Sequence, residues 1–575
     1  TKDGVTAVLE PVLPLLTDRD AEVRAQAAKV LGDHHALAAY DGLIKLLADQ
    51  SPRVRFFAAQ GLGKLGRRES FPAIVEFLRQ NGDSDRVLRH AGVMALIGAN
   101  DADALLAAAK DTSPAVRMGV LLAMRRLERG EIAGFLNDAQ PAIVLEAARA
   151  INDTPISGAV PELAAILEQP TKEEWLTRRT ISANFRYNTA DSAKALAHYA
   201  TRGDMPANMR VEALNALADW PKASGRDRVT GLWRPIASTR DSKVPADAVR
   251  PILPDLIAGA PDIVRAAAAK AAEQLQISEA IPALRDLARN TSANNSARVA
   301  ALRSLASLND AQLASLLDVV SKDDSENVRR EAVRLSARVK SGGALEKLNG
   351  ALVNGSLAEK QNAFATLGTL NDPAADSLLS AWVDKLAANE VPAGLKLDVL
   401  DAAGKRKQAA LQQKLADYAA HNAKDNALAP YLDCLTGGNA ENGKKIFFER
   451  ADVACVRCHK IGAEGGEVGP NLAGIGTRQN REYILESVVF PNLKIAAGFE
   501  SVLVTTKGGP AYAGTVKSEN DQQIVINSPE DGVVTIKKSD ITKRDRGLSP
   551  MPEAMASILT KFELRDLVEF LATAK

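Results

Sequence analysis

The chain has 575 residues, 46% of them hydrophobic but only 4% aromatic, and its 72 basic side chains nearly cancel 71 acidic ones for a net charge of +1. That length exceeds what one hydrophobic core usually spans, so several domains or a repeat array are expected. The balanced charge, without long blocks of one sign, argues against nucleic acid or an anionic membrane as partner, and no apolar run approaches the roughly 20 residues of a membrane-spanning helix.

Much of the apolar content is alanine and leucine, the composition of close-packed helices, so a mainly α fold is expected. The opening Thr1-Lys2-Asp3-Gly4 does not read as a signal peptide. From there to about residue 153 one phrase recurs: an apolar helix, a short Asp/Pro turn, then Val-Arg leading an Ala/Leu helix. Leu46 to Pro52 precedes Val54-Arg55, and Ala109 to Pro114 precedes Val116-Arg117, with Asp or Ser as the expected cap and Pro in the first turn. Taking Val23, Val54, Val87, Val116 and Val144 as equivalent gives steps of 31, 33, 29 and 28 by subtraction. These are shorter than the roughly 40 residues of ordinary HEAT units, so a short-helix HEAT-like α-solenoid is expected over 1–436. The phrase returns at Val264-Arg265, Arg298-Val299 and Val328-Arg329, with fainter copies ending near Leu397 to Leu400. An arginine repeated in every unit is read as a bridge to the neighbouring turn's aspartate rather than as a substrate contact.

Between Pro170 and Pro251 the period blurs, and Arg226 to Pro235 is not repeat-like. With Trp175 and Trp220 it forms an irregular segment at about 170–251. Trp233 and Arg234 are typical interface anchors; equally, the tryptophans suit a wide gap between repeats.

The array is expected to stop near Thr436, after Pro430, with Gly437-Gly438 marking the boundary of a second domain at 437–575. A capped helix over Asn439 to Phe448 leads to Cys455-Val456-Arg457-Cys458-His459, the attachment signature of a c-type haem. One helical turn presents both thiols for thioether formation, and the adjacent imidazole serves as iron ligand. Half a zinc site is disfavoured because four protein ligands are normally needed and Cys434, the third cysteine, stands apart as a buried or free thiol. A thioredoxin-like pair would need a βαβ setting. After the motif come a loop at Gly469 to Gly476, a helix from Arg481 to Val489, and alternating runs between about 499 and 541 that read as a small antiparallel β insertion. That insertion shields the haem edge, binds a partner or is inert decoration.

A Gly/Phe helix, C-x-x-C-H, a Gly-Pro-Asn-Leu loop, a helix, a Met-Pro and a final Leu/Phe-rich helix follow the order of class I cytochromes c, which the last quarter of the chain resembles. The resemblance implies that the Pro470 carbonyl accepts the free N–H of the proximal His459 and that Gly443 and Phe447 pack against the terminal helix near Phe570. It also implies a methionine as sixth ligand. Met551, stiffened by flanking prolines, is preferred to Met555, which begins a helical turn and packs. Metal ligation is thus expected from His459 and Met551, and attachment of one covalent haem c from Cys455 and Cys458. His/Met ligation suits one-electron transfer.

The array, the Arg226 to Pro235 segment and a cytochrome with a β insertion together resemble the C-terminal part of the haem-binding C-x-x-C-H proteins described from Planctomycetes and Verrucomicrobia. In that family a propeller related to quinoprotein sugar dehydrogenases often precedes the array. The resemblance implies an electron-transfer component, not itself the catalyst, that accepts electrons from a sugar or alcohol dehydrogenase domain or subunit outside this chain and passes them to a downstream acceptor. Covalent haem attachment outside the cytoplasm implies export, to a periplasm or equivalent, with a signal sequence not in this chain. The alternatives are a haem peroxidase-like enzyme, which needs an open distal position, and a repeat scaffold whose haem is sensory.

Overall fold

The computed structural model describes residues 9–574 except 170, 172, 238, 340–342, 423–425, 529 and 554. The N-terminal tetrapeptide and Pro170, at the expected start of the irregular segment, lie outside the described residues. The fold is mainly α: short helices packed on their neighbours along the chain, with a small antiparallel sheet near the C-terminus. No helix among the described residues is long and apolar enough to cross a membrane. The chain divides into two compact units, Thr1–Leu316 and Leu317–Lys575.

In the first unit, Asp20 caps the Ala21–Asp33 helix by accepting from the Glu22 N–H at 2.7 Å. Before the Pro52–Leu65 and Pro114–Arg126 helices, Ser51 and Ser113 make no side-chain cap bond. Instead Asp49 and Asp111 accept from the backbone N–H of those serines, each at 2.8 Å, in local Asx turns. Proline then takes the first turn, where its missing N–H leaves nothing unsatisfied.

The repeat register needs correction at two positions. Val54 and Val116 are fully buried, but Val87 is 60% exposed; its core equivalent is Leu88, and Ile143 rather than Val144 is the fully packed residue of its helix. Two adjacent apolar residues are alike by type, and only the helix face separates them. The recurring arginine confirms the correction at Leu88. Arg24, Arg117 and Arg329 each donate to backbone carbonyls five and six residues earlier, and Arg89, following Leu88, pairs with Asp83 six residues earlier at 2.5 Å. Arg24 also reaches Asp49 at 2.8 Å and Arg117 reaches Asp138 at 2.7 Å. These arginines hold one turn to the next.

Small residues set the helix spacing. A Cβ added at Gly98 would lie 2.0 Å from the Gly63 carbonyl oxygen of the neighbouring helix, so the two backbones touch directly, which explains a core with few aromatics. In the irregular segment, Trp220 is fully buried against Phe185 and under Arg240, whereas Trp175 and Trp233 are 65% and 72% exposed. Arg234 is not an exposed anchor. It pairs with the buried Asp227 at 3.3 Å and donates to the Asn152 carbonyl at 2.9 Å.

The second unit begins with further helix pairs, cored by Leu348, Phe364, Leu379 and Val399. The expected boundary pair, Gly437-Gly438, lies inside this unit as a close-packed junction. A Cβ on Gly437 would meet the Gly394 carbonyl oxygen at 2.4 Å and one on Gly438 the Arg565 carbonyl oxygen at 2.3 Å. Gln361 donates to the carbonyls of both Gly394 and Gly437, at 3.1 and 2.8 Å. Arg565 of the terminal helix Lys561–Thr573 forms a 2.6 Å ion pair with Asp398 of the helix Lys396–Gly404, with side chains 7% and 5% exposed. The C-terminal core, built on Phe447, Leu485, Leu564 and Val568, accordingly extends back to Leu397 and Cys434.

Two short strands, β1 (Lys460–Ile461) and β2 (Glu464–Gly465), form a hairpin that the sequence did not announce. Then β3 (Ser501–Thr506), β4 (Ala511–Glu519), β5 (Gln523–Ser528), β6 (Gly532–Lys537) and β7 (Ile541–Arg546) form one antiparallel sheet in the order β6-β5-β4-β3-β7. The last strand, β7, extends the insertion beyond its expected end at about 541, and its Thr-Lys-Arg-Asp-Arg run lacks apolar alternation because it is an exposed edge. The insertion has its own core of Val502, Val504, Ile524, Ile526 and Ile536.

Candidate functional site

The C-x-x-C-H run forms a single helical turn, Cys455–Cys458, entered through Ala454 at φ +49°. A left-handed backbone is uncommon for a residue with a side chain and marks a position that the surroundings enforce. His459 leaves the helix in extended conformation, with its N–H donated to the Cys455 carbonyl at 3.0 Å.

The following loop is stitched to this turn through the backbone. Gly466 N–H donates to the Val456 carbonyl at 2.9 Å, Gly469 N–H to Cys458 at 2.8 Å and Leu472 N–H to Lys460 at 2.9 Å. These bonds bring the Pro470 carbonyl 2.9 Å from His459 Nδ1. With Nδ1–H donating there, Nε2 is left as the lone-pair nitrogen available to a metal. Gly469 is required by a close approach: a Cβ on it would lie 2.6 Å from His459 Cε1.

Cys455, Cys458, His459, Pro470 and Met551 all line one cavity of about 340 Å³. Its size falls within the roughly 300–1,000 Å³ usual for cofactor sites. Apolar side chains, among them Leu472, Ile484, Val488, Leu567 and Leu571, make up most of its wall. Burial holds the His459 imidazole below its ordinary pKa, against the smaller opposing effect of the Pro470 carbonyl. Burial likewise pushes the Cys455 thiol up to about 11, so it is a neutral thiol at pH 7. Two thiols on one turn, an imidazole with its outer nitrogen already engaged, a thioether and an apolar wall form a donor set that fits a haem. Met555 also lines the cavity, but it begins the Met555–Ile558 turn and is buried in the core.

The opposite end of the chain segment is also tied down. Asn492 Oδ1 accepts the Ser549 N–H at 2.6 Å, and Ser549 Oγ accepts the Met551 N–H at 3.2 Å, so the loop bearing Met551 is fixed to the segment after the helix Arg481–Val489. Arg478 donates to the Ala473 and Asn471 carbonyls at 2.7 and 3.2 Å, bracing the loop beside Pro470. Neither Asn492 nor Arg478 stands out by residue type, and sequence reasoning missed both. Gly443 and Phe447 do pack on the terminal helix, with a Gly443 Cβ placed 2.6 Å from Phe570 Cβ and the Phe447 and Phe570 rings 5.8 Å apart.

Fold and cavity thus define a helical-repeat protein ending in a domain whose cavity gathers a C-x-x-C-H turn and a methionine. Two family models make this particular: residues 9–97 match HEAT repeats and residues 440–575 match cytochrome c. A cytochrome c domain implies haem c as cofactor and an electron-transfer role, with redox partners. Among solved structures, similar chains include an engineered protein at 19% identity (58% of this chain, 99% of that one, TM-score 0.30). Kap121p is similar at 13% identity (75% and 54%, TM-score 0.44), and human deoxyhypusine hydroxylase at 18% (60% and 97%, TM-score 0.20). The matched region spans 54% of the Kap121p chain.

Proposed function

We propose that this chain is an electron-transfer cytochrome c carried on a HEAT-repeat scaffold, with the array over 1–436 and the cytochrome domain over 437–575. Cys455 and Cys458 would hold one covalently attached haem c through their sulfurs, and His459 and Met551 would supply its iron ligands. When bound, that group supplies reversible one-electron chemistry, and His/Met ligation raises its potential. The chain's own residues do the rest: Pro470 fixes the orientation and basicity of His459, Asn492 and Ser549 hold Met551, and the apolar wall excludes water. The observation that carries this reading is the 2.9 Å bond from His459 Nδ1 to the Pro470 carbonyl inside a cavity shared with both thiols and Met551.

The resemblance to the haem-binding C-x-x-C-H proteins supports a finer reading. In it, the array docks a quinoprotein-type dehydrogenase domain or subunit and the cytochrome relays its electrons to a downstream acceptor outside the cytoplasm. The test is production in an export-competent host, followed by intact mass and an optical spectrum. One covalent haem with a reversible low-spin spectrum is expected, and a chain without covalent haem sinks the reading. A five-coordinate spectrum unchanged by Met551→Ala would move the assignment to a peroxidase-like enzyme.

A further inference from the structure

The first unit holds a second cleft, of about 580 Å³, lined by Arg86, Arg89, His90 and Val93 of the helix Arg86–Ala99 and by Leu122, Arg125 and Arg126 of the helix Pro114–Arg126, with Glu128 and Thr154 at its margin. The spacing within each helix, three and four residues apart, turns these side chains to one face. Four arginines and a histidine therefore converge on a space lined by a single acid, Glu128.

The arginines fall into two kinds. Arg89 is held by Asp83 at 2.5 Å, and Arg125 donates to Glu146 at 3.0 Å and to the Thr154 hydroxyl at 3.1 Å. These two are fixed in place by the fold. Arg86 and Arg126 have no hydrogen-bond or ion-pair partner among the described residues. Arg86 stands at the first position of a 14-residue helix whose N-cap, Asp85, accepts the Val87 and Leu88 N–H groups at 2.7 and 3.2 Å and so leaves Arg86 itself unbonded. The unpaired guanidinium groups of Arg86 and Arg126 favour negative charge in the cleft.

We propose that this cleft binds a small ligand bearing phosphate or carboxylate groups on a compact apolar body. The guanidinium forks match the oxygens of such groups, and Val93 and Leu122 offer the apolar contact. Because Arg89 and Arg125 are already ordered, only Arg86 and Arg126 lose freedom on binding, which lowers its cost.

The experiment is calorimetric titration of inorganic pyrophosphate and, separately, citrate into the full chain. Saturable binding at one site is expected for at least one of them. Arg86→Ala/Arg126→Ala should weaken it about tenfold, while Arg149→Ala, a 58% exposed arginine outside the cleft, should change it less than about twofold. Should the double variant melt early, Arg126→Gln alone replaces it, with weakening of about threefold expected. Three results would overturn the proposal: no saturable binding of either anion, equal weakening by Arg149→Ala, or tighter binding of a Glu-rich peptide than of both anions. The last would make the cleft a contact for an acidic protein segment.

Discussion

At the scale of single residues, the site depends on close approaches that leave no tolerance. Gly469→Ala would drive its Cβ into His459, and overpacking of this kind costs about 1–3 kcal/mol. The expected outcome is loss of the His459–Pro470 bond and a sharply lower yield of haem-loaded protein by intact mass. On the proposed assignment of Cys455 and Cys458 to attachment and Met551 to ligation, Met551→Ala should keep covalent haem but abolish the low-spin methionine signature in the optical spectrum. Cys434 provides a test of a different kind. It is a free, fully buried thiol pushed up to about 11 by burial. The folded state therefore holds its proton where the unfolded state has released it. The sign follows: the contribution to stability is complete below about pH 9 and is lost as pH rises towards 11. Melting temperatures of the wild type and Cys434→Ala between pH 8 and 11 should converge as pH rises. The thiol should resist alkylation until the chain unfolds.

At the scale of elements, the terminal helix Lys561–Thr573 carries two faces with separate tasks. Leu567 and Leu571 line the cavity shared with the C-x-x-C-H turn and Met551, while Arg565 is buried against Asp398 of the helix Lys396–Gly404. Removing one member of a buried pair costs about 3–5 kcal/mol, because the survivor is left charged and unpaired. Asp398→Leu and Arg565→Met should each lower the melting temperature strongly, and the double variant should recover most of the loss. A thermal double-mutant cycle measures this. The β insertion behaves as the opposite case. It has a core of its own, and its ends meet where the Gly547 N–H donates to the Ser501 carbonyl at 2.8 Å. Replacing 501–547 by a short glycine-rich turn should leave the haem spectrum intact, provided that Asn492 still holds Ser549. A spectrum lost on excision would instead show that the sheet shapes the haem site.

At the scale of the whole molecule, the second compact unit runs from Leu317 to Lys575, so the last helices of the expected array share a unit with the expected 437–575 domain. A fragment spanning 317–575 should melt as one cooperative transition. A fragment of 437–575 should be less stable, since it leaves Arg565 without Asp398 and uncovers the surface that Leu397 packs on. Scanning calorimetry of the two fragments distinguishes these outcomes. Much of this architecture was legible in the residues. Periodic Val-Arg phrases, Asp/Pro turns and the C-x-x-C-H run specify helices, their ends and the haem signature through local chemistry, which needs no distant partner. The sequence by itself also placed Pro470 and Met551 in order along the chain. What it left open were contacts between segments far apart in sequence: the face that makes Leu88 rather than Val87 a core residue, the edge strand β7, the brace from Asn492 to the Met551 loop, and the burial of Arg565 on Asp398. Those are properties of packing, in which a residue's role is set by what the folded chain brings against it. Tertiary structure alone decided them.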